Sequence, residues 1–351
     1  MKKIALITSS RADWGILSNL ADMLYHCPSI DLNIIATGAH LSPAFGSTVN
    51  QIHLPISAKL ETVLSSDTPV AICKTYGLTV ISFGELYESI YPDLILVLGD
   101  RFEISAACVA AYISNIPIAH IGGGETTAGV YDDGFRHSIT HMAKYHFVYN
   151  DYYRERVVQL IEDDRNVYNV GALPCDGLEK VTDWPRSNDI YALIHPETRT
   201  QNDVIDSILL LRCFFERDYN LKFITSGYDV RSRSTRMYRN NAVFENRNQF
   251  LKALSNSYCI IGNSSSGIVE APALGIPTIN IGNRQSGRMM ADSIICTHPT
   301  AEDIKDAFEH LQSPGFSRLM KSNYYLPYKG DNVAKKIFSI IRKECFDENL
   351  L

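Results

Sequence analysis

The sequence has no apolar run approaching the ~18 residues that a membrane-spanning helix needs. Its opening Met1-Lys2-Lys3-Ile4-Ala5-Leu6-Ile7-Thr8 gives way to Ser9-Ser10-Arg11 too soon for a secretory leader. A cytoplasmic protein without a membrane partner is the expectation. A CxxC pair is also missing: the 8 cysteines are scattered, some in apolar runs such as Ala107-Cys108-Val109. They read as small buried thiols of a reducing compartment, not as a disulfide frame. Basic residues are in deficit, 33 Lys and Arg against 39 Asp and Glu for a formal net charge of -6, which argues against nucleic acid as a partner. Any phosphate must therefore be held locally. The turn Ser10-Arg11-Ala12-Asp13-Trp14-Gly15 after the first apolar run is no GxGxxG fingerprint, so a dinucleotide cofactor is not indicated. His137 and His141 stand four apart without an HExxH context or a cysteine partner, so packing is a better account of them than metal. Neither cofactor nor metal is expected. Repeats and low-complexity tracts are absent.

With 351 residues, 45% hydrophobic and 21% charged, the chain is long enough for two globular domains of ~170 residues each. In the first half, short apolar runs (Ile4–Thr8, Leu32–Ala36, Leu94–Leu98, Ile116–Ile121, His146–Tyr149) alternate with helical patterns: one with Leu17, Leu20, Met23 and Leu24 at helical spacing, one around Ile81 to Ile90, and one from Glu103 to Ile113. After the polar, turn-rich Asp183–Asn188 the pattern restarts with Ile190–Ile194, a helix near Val204 to Phe215, Leu221–Thr225, Tyr258–Ile261, Pro277–Ile281 and a helix from Ala301 to Leu311. Continuous apolar strands interleaved with helices indicate parallel sheets covered on both faces. The expected fold is α/β, two Rossmann-like doubly wound domains: 1–172, a linker over 173–188, and 189–330. A last helix near Asn332 to Arg342, within 331–351, is a candidate to cross back to the first domain. Ligands of such sheets bind outside the carboxyl ends of the strands, which predicts an active-site cleft between the domains.

The most telling stretch is Gly262-Asn263-Ser264-Ser265-Ser266-Gly267-Ile268-Val269-Glu270. An apolar strand that empties into small hydroxyl and glycine residues and then opens a helix presents unpaired N–H groups at the helix's positive end, which suits an anion. Glu270 is placed to accept from neutral hydroxyls, and phosphate plus polyol suggests a nucleotide. Read alone, the stretch is more simply a turn with a serine N-cap. Five further polar clusters also follow strands: Arg11 and Asp13; Gly99-Asp100-Arg101; Gly122-Gly123-Gly124-Glu125; His195-Pro196-Glu197-Thr198; and Gly282-Asn283-Arg284-Gln285.

Among these, Asp100, Asp132 and Glu125 are the candidates for proton transfer at carbon, which needs a positioned base with a raised pKa. Plainer roles exist too: an N-cap for Asp132, a solvated loop for Asp100. Arginines suit phosphate because the planar fork pairs with two oxygens at once.

In order along the chain, Ser10-Arg11-Ala12-Asp13, Thr37-Gly38-Ala39-His40, Gly99-Asp100-Arg101, Gly123-Gly124-Glu125, Asp132-Asp133-Gly134-Phe135-Arg136-His137, His195-Pro196-Glu197-Thr198, Gly262–Gly267 and Arg284-Gln285-Ser286-Gly287-Arg288 resemble the hydrolysing UDP-N-acetylglucosamine 2-epimerases of bacterial sialic-acid-type pathways. The resemblance covers almost the whole chain. It implies a GT-B-type fold and a two-stage reaction: loss of the C2 proton with anti departure of UDP from C1, then hydration of the resulting 2-acetamidoglucal to free N-acetylmannosamine. By position it makes Asp100 and Asp132 the acid/base carboxylates and places His195 beside the diphosphate. Ser264, Ser265 and Arg284 become diphosphate ligands, Glu270 a ribose ligand, Arg11 part of the nucleotide pocket, and Arg101 and Arg136 supporting residues.

One departure stands out. Where many relatives carry Glu or His two residues after the histidine of the His120-Ile121 strand end, this chain has Gly122. Either Glu125 takes part of that role or Asp100 and Asp132 suffice. The loop Leu64–Val70 resembles that of a legionaminic-acid branch whose substrate is UDP-N,N'-diacetylbacillosamine. Alternatives of another class are a GT-B glycosyltransferase, in which an acceptor replaces water, and a non-catalytic nucleotide-sugar sensor. A homo-oligomer, dimer or tetramer, is expected from the resemblance.

Overall fold

The computed structural model of the chain describes residues 1–43, 46–66, 68–195, 212, 215, 218–224 and 241–344. They fall into two compact units: Met1–Glu125 with Asp132–Asp176 and the stretch from Gly330, and Thr126–Tyr131 with Gly177–Lys329.

The first unit runs β1 (Lys2–Thr8), α1 (Arg11–Tyr25), β2 (Ile30–Thr37), β3 (Ile56–Leu60), α2 (Pro69–Ile90), β4 (Leu94–Leu98), α3 (Phe102–Ile113), β5 (Ile118–Ile121), α4 (Asp132–Met142), β6 (Tyr145–Val148), α5 (Asp151–Ile161) and β7 (Val167–Asn169). Its strands pair in parallel in the order β3-β2-β1-β4-β5-β6-β7. Every residue of β4 is buried, as a strand covered on both faces requires. Helix starts follow from local chemistry. Ser10 caps α1 by accepting from the Asp13 N–H, and Asn150 caps α5 through the Tyr153 N–H. Helix α2 begins some three turns before the expected Ile81, because Thr68 accepts from the Ala71 N–H and Pro69 occupies the first turn.

The second unit runs β8 (Asp189–Leu193), β9 (Asn220–Ile224), β10 (Asn241–Ala242), α6 (Arg247–Ser255), β11 (Cys259–Gly262), α7 (Ser265–Ile268), α8 (Glu270–Ala273), β12 (Thr278–Ile281), β13 (Ile294–Thr297), α9 (Ala301–Leu311) and α10 (Pro314–Met320). The described strands again pair in parallel, in the order β10-β9-β8-β11-β12-β13. Trp184, Phe215, Phe223, Ile260, Ile279 and Leu311 lie in its core, and the Trp184 indole N–H donates to the Tyr258 carbonyl at 2.6 Å. The last helix, α11 (Val333–Glu344), belongs to the first unit. Both oxygens of Asp176 accept from its opening N–H groups, Val333 and Ala334, each at 2.9 Å.

The strands the sequence pattern did not reveal, β3, β7, β10 and β13, lie at or next to the sheet edges. Both β3 and β13 are at most half-buried, so neither carries a continuous apolar signal. The helix expected after Ser264 is broken into α7 and α8. Proline at 272 has no N–H to give the Ile268 carbonyl and its ring crowds that oxygen, so the backbone departs from helix there. Most of the expected helix near Val204 to Phe215, the triplet Pro196-Glu197-Thr198 and Asp67 lie outside the described residues. Among the described residues no helix is long and apolar enough to cross a membrane.

Gly262 ends β11 with φ +136°, and a Cβ there would sit 2.1 Å from the Leu193 carbonyl oxygen of the neighbouring strand. Gly262→Ala is therefore expected to lower the stability of the second unit by about 3 kcal/mol or more. Urea denaturation followed by Trp184 emission in a Trp14→Phe background reads it.

Candidate active site

In an open parallel sheet, the loops that leave the strands diverge where the strand order reverses, opening a crevice. The first unit reverses between β1 and β4, the second between β8 and β11. Candidate residues stand at both points.

In the first unit, β1 leads into Ser9, Ser10 and Arg11. The Asp13 carboxylate accepts from the Ser9 hydroxyl at 2.7 Å, fixing the turn, and Arg11 opens α1 half-buried. Beside it β4 leads into Gly99-Asp100-Arg101. The Arg136 guanidinium, from α4, pairs with the Asp100 carboxylate. The same guanidinium donates to the Glu125 carbonyl at 3.0 Å and to Asp133 at 3.3 Å. Arg136 is 1% exposed, so these acceptors replace its lost water, and their geometry in turn orients Asp100. Asp132, 5% exposed, sits one turn before Arg136 on the same face of α4. Asp100 and Asp133 are thus held on one buried cation, with Asp132 beside it on α4 and Glu125, also buried, attached through its backbone.

Arg101 has a different partner. Its guanidinium makes a two-point pair with the fully buried Glu103, at 3.0 and 3.3 Å. That pair neutralises a carboxylate inside α3, a partner the sequence reading missed. His137 faces Asp133 at 3.6 Å, and among the described residues no group of three or more metal-ligating side chains stands together.

Below this layer lie buried histidines. His120 Nε2–H donates to the Gly99 carbonyl at 2.8 Å, and its other nitrogen meets the Thr140 hydroxyl at 3.3 Å. Burial pushes its pKa down to about 3, against the pull of the Gly99 carbonyl, and the Arg136 charge helps. His40 bridges the Thr8 and Thr48 hydroxyls at 2.9 and 3.0 Å, and burial lowers it to about 4. His146, beside His120 on β6, is lowered to about 4 by burial too. These rings are neutral struts under the strand ends.

In the second unit one residue organises the loops. The Asn263 side chain accepts from the His195 N–H at 2.7 Å and donates to the His195 carbonyl at 2.8 Å, lashing the end of β8 to that of β11. Its backbone carbonyl accepts from Arg284 at 3.0 Å and from the buried Gln285 at 2.7 Å, bringing in the loop after β12. His195, Ser264 and Arg284 are thus gathered around Asn263. Ser264 caps α7 and is buried, while Ser265 is exposed. Glu270, 5% exposed, is paired with Arg247 from α6. Thr126–Tyr131 packs in this unit as well: Ala128 N–H donates to the Ser286 carbonyl at 2.9 Å, and a Cβ at Gly129 would lie 2.6 Å from the Arg284 Cα. The reading of the chain named neither Asn263 nor Arg247 as a site residue. An Asn directly after a strand was the available signal for the first; nothing local marks the second.

A family model described as UDP-N-acetylglucosamine 2-epimerase matches residues 23–342. The chain is 32% identical over 346 residues to the GDP/UDP-N,N'-diacetylbacillosamine 2-epimerase (hydrolyzing) of Campylobacter jejuni, covering 90% of this chain and 89% of the relative. It is 32% identical over 369 residues to the polysialic acid biosynthesis protein P7 of Escherichia coli, covering 97% and 94%. Among solved structures, the UDP-GlcNAc 2-epimerase of Neisseria meningitidis bound to UDP-GlcNAc is similar at a TM-score of 0.77 and 17% identity, over 98% of this chain and 100% of that one. That likeness concerns the fold, two Rossmann-like parallel sheets of GT-B type.

Proposed function

The chain belongs to the UDP-N-acetylglucosamine 2-epimerase family, and from that premise we propose that it is a hydrolysing 2-epimerase converting UDP-N-acetylglucosamine to N-acetylmannosamine and UDP. The observation that carries this reading is the Asp100 carboxylate held by the buried Arg136, with the buried Asp132 one turn before that arginine on α4. Glycosyl transfer to an acceptor does not require a proton to leave carbon; elimination across C1 and C2 does, and a carboxylate held by a cation is a positioned base. In the first stage the C2–H bond breaks to a carboxylate as the C1–O bond to UDP breaks and C1=C2 forms. In the second, water adds its oxygen to C1 while a proton returns to C2 on the opposite face. The two carboxyls share these transfers as a coupled set. Ser264, the exposed Ser265 and Arg284 hold the diphosphate, His195 assists its departure, Glu270 takes the ribose, and Arg11 contributes to the nucleotide pocket.

A second reading keeps the chemistry and changes the sugar to N,N'-diacetylbacillosamine, as the likeness to the C. jejuni diacetylbacillosamine 2-epimerase favours. Proton NMR of both nucleotides with the enzyme in D2O separates the readings. The expected product is a free mannosamine-type sugar with deuterium at C2 and released UDP, and the faster substrate identifies the sugar. Label at C2 in a sugar still attached to UDP would instead mark a non-hydrolysing epimerase.

A further inference from the structure

Between the ends of β4 and β6 the chain of β5 passes as Gly122-Gly123-Gly124, with no side chain to offer. The last paired row across these strands is Leu98, Ile121 and Phe147. Two residues past it stand Asp100, Gly123 and Tyr149. Neighbouring strands lie ~4.8 Å apart, so the ends of β4 and β6 are separated by about 10 Å across this bare backbone.

Tyr149 closes part of that gap. Its ring leans from β6 over β5, and a Cβ at Gly122 would sit 2.8 Å from the Tyr149 hydroxyl and 3.1 Å from the ring carbon bearing it. The phenol therefore fills the volume that a side chain at 122 would take. The exclusion is mutual: with φ +87° and that contact, position 122 must stay glycine for Tyr149 to keep this pose. Tyr149 is 7% exposed, and its polar end is carried to the strand end next to the one that bears Asp100. A phenol at neutral pH is an uncharged donor and acceptor. It suits a neutral sugar oxygen, a hydroxyl or an amide carbonyl, and not a phosphate.

We propose that Tyr149 is a substrate-binding residue, supplying from β6 the hydrogen bond to the acetamido sugar that glycine at 122 cannot. This rests on the reading of the site as one for a nucleotide-linked acetamido sugar.

The test compares Tyr149→Phe with the wild-type chain for kcat/KM of UDP release from the two candidate nucleotides, and for the affinity of UDP alone. Loss of one hydrogen bond in a desolvated site is expected to lower kcat/KM by about ten- to a hundredfold, while UDP, lacking the sugar, binds both chains within about twofold and the thermal midpoint holds. An unchanged kcat/KM overturns the proposal, as does a fall in UDP affinity matching the fall in kcat/KM, which marks a structural role. If Tyr149→Phe is partly unfolded, the ratio of sugar-nucleotide to UDP affinity, measured in an Asp100→Asn background to prevent turnover, does not depend on the folded fraction. It is expected to fall by the same factor, and an unchanged ratio overturns the proposal. A wild-type chain that neither turns over nor binds either nucleotide removes the epimerase reading and this one with it. An active wild type with an indifferent Tyr149→Phe removes this one alone.

Discussion

Asp100→Asn is expected to lower kcat/KM for UDP release by about a thousandfold, and incorporation of deuterium at C2 with it. The amide keeps the shape of the carboxylate and an oxygen that still accepts from Arg136, so the buried guanidinium retains the Glu125 carbonyl, Asp133 and a neutral partner at 100. Fold and UDP binding should survive, since the diphosphate is assigned to Ser264, Ser265 and Arg284. Only the capacity to take a proton is lost. Calorimetric titration with UDP, alongside the turnover assay, separates these effects: UDP affinity within about twofold and turnover near a thousandth is the expected pattern. More than about a tenth of the activity remaining would assign the first proton transfer to Asp132 or Glu125 instead.

The positions of most candidate residues were legible because parallel α/β sheets put functional loops at strand ends, and the strands that matter are apolar enough to be read. Asp100 after Leu94–Leu98 and Ser264 after Tyr258–Ile261 needed only that rule. What escaped was pairing across the chain. Arg136 reaches Asp100 36 residues away and Arg247 reaches Glu270 23 residues away, and nothing in either sequence neighbourhood announces the partner. Glu103 looks like an ordinary first-turn acid of α3 until the fold buries it. The place of Tyr149 was hidden for a related reason: the glycine at 122 reads as an absence, and only the packing shows that a residue 27 positions on occupies the volume. Two local features were legible and went unread, the Thr68-Pro69 start of α2 and the break that Pro272 forces after Ile268.

The first unit is expected to unfold in mild acid. His40, His120 and His146 have folded-state pKa values of about 4, 3 and 4, each lowered by burial from 6.5, and His137 is lowered in the same direction. Below pH 6.5 the unfolded chain binds protons at these rings and the folded chain does not. Stability therefore rises with pH: the contribution is fully present above about pH 7 and is lost as pH falls from 6.5 toward 4. Each ring accounts for about 1.4 kcal/mol per pH unit in that window, so the three together approach 4 kcal/mol per unit, and unpaired carboxylates contribute little until below about pH 4.5. A domain stable by 5–15 kcal/mol cannot absorb that for more than a few units. All three belong to the first unit, and the 2 tryptophans divide between the units, Trp14 in the first and Trp184 in the second. Single-tryptophan chains, Trp184→Phe and Trp14→Phe, thus report each unit separately in an acid titration. Trp14 is expected to register unfolding between about pH 6 and 4.5, and His146→Leu, which deletes one of the three proton sites, to shift that midpoint to lower pH. A Trp14 signal flat to pH 4, with the urea midpoint at pH 4.5 equal to that at pH 7, would mean that the buried rings accept protons in the folded unit, with water or a carboxylate reaching them.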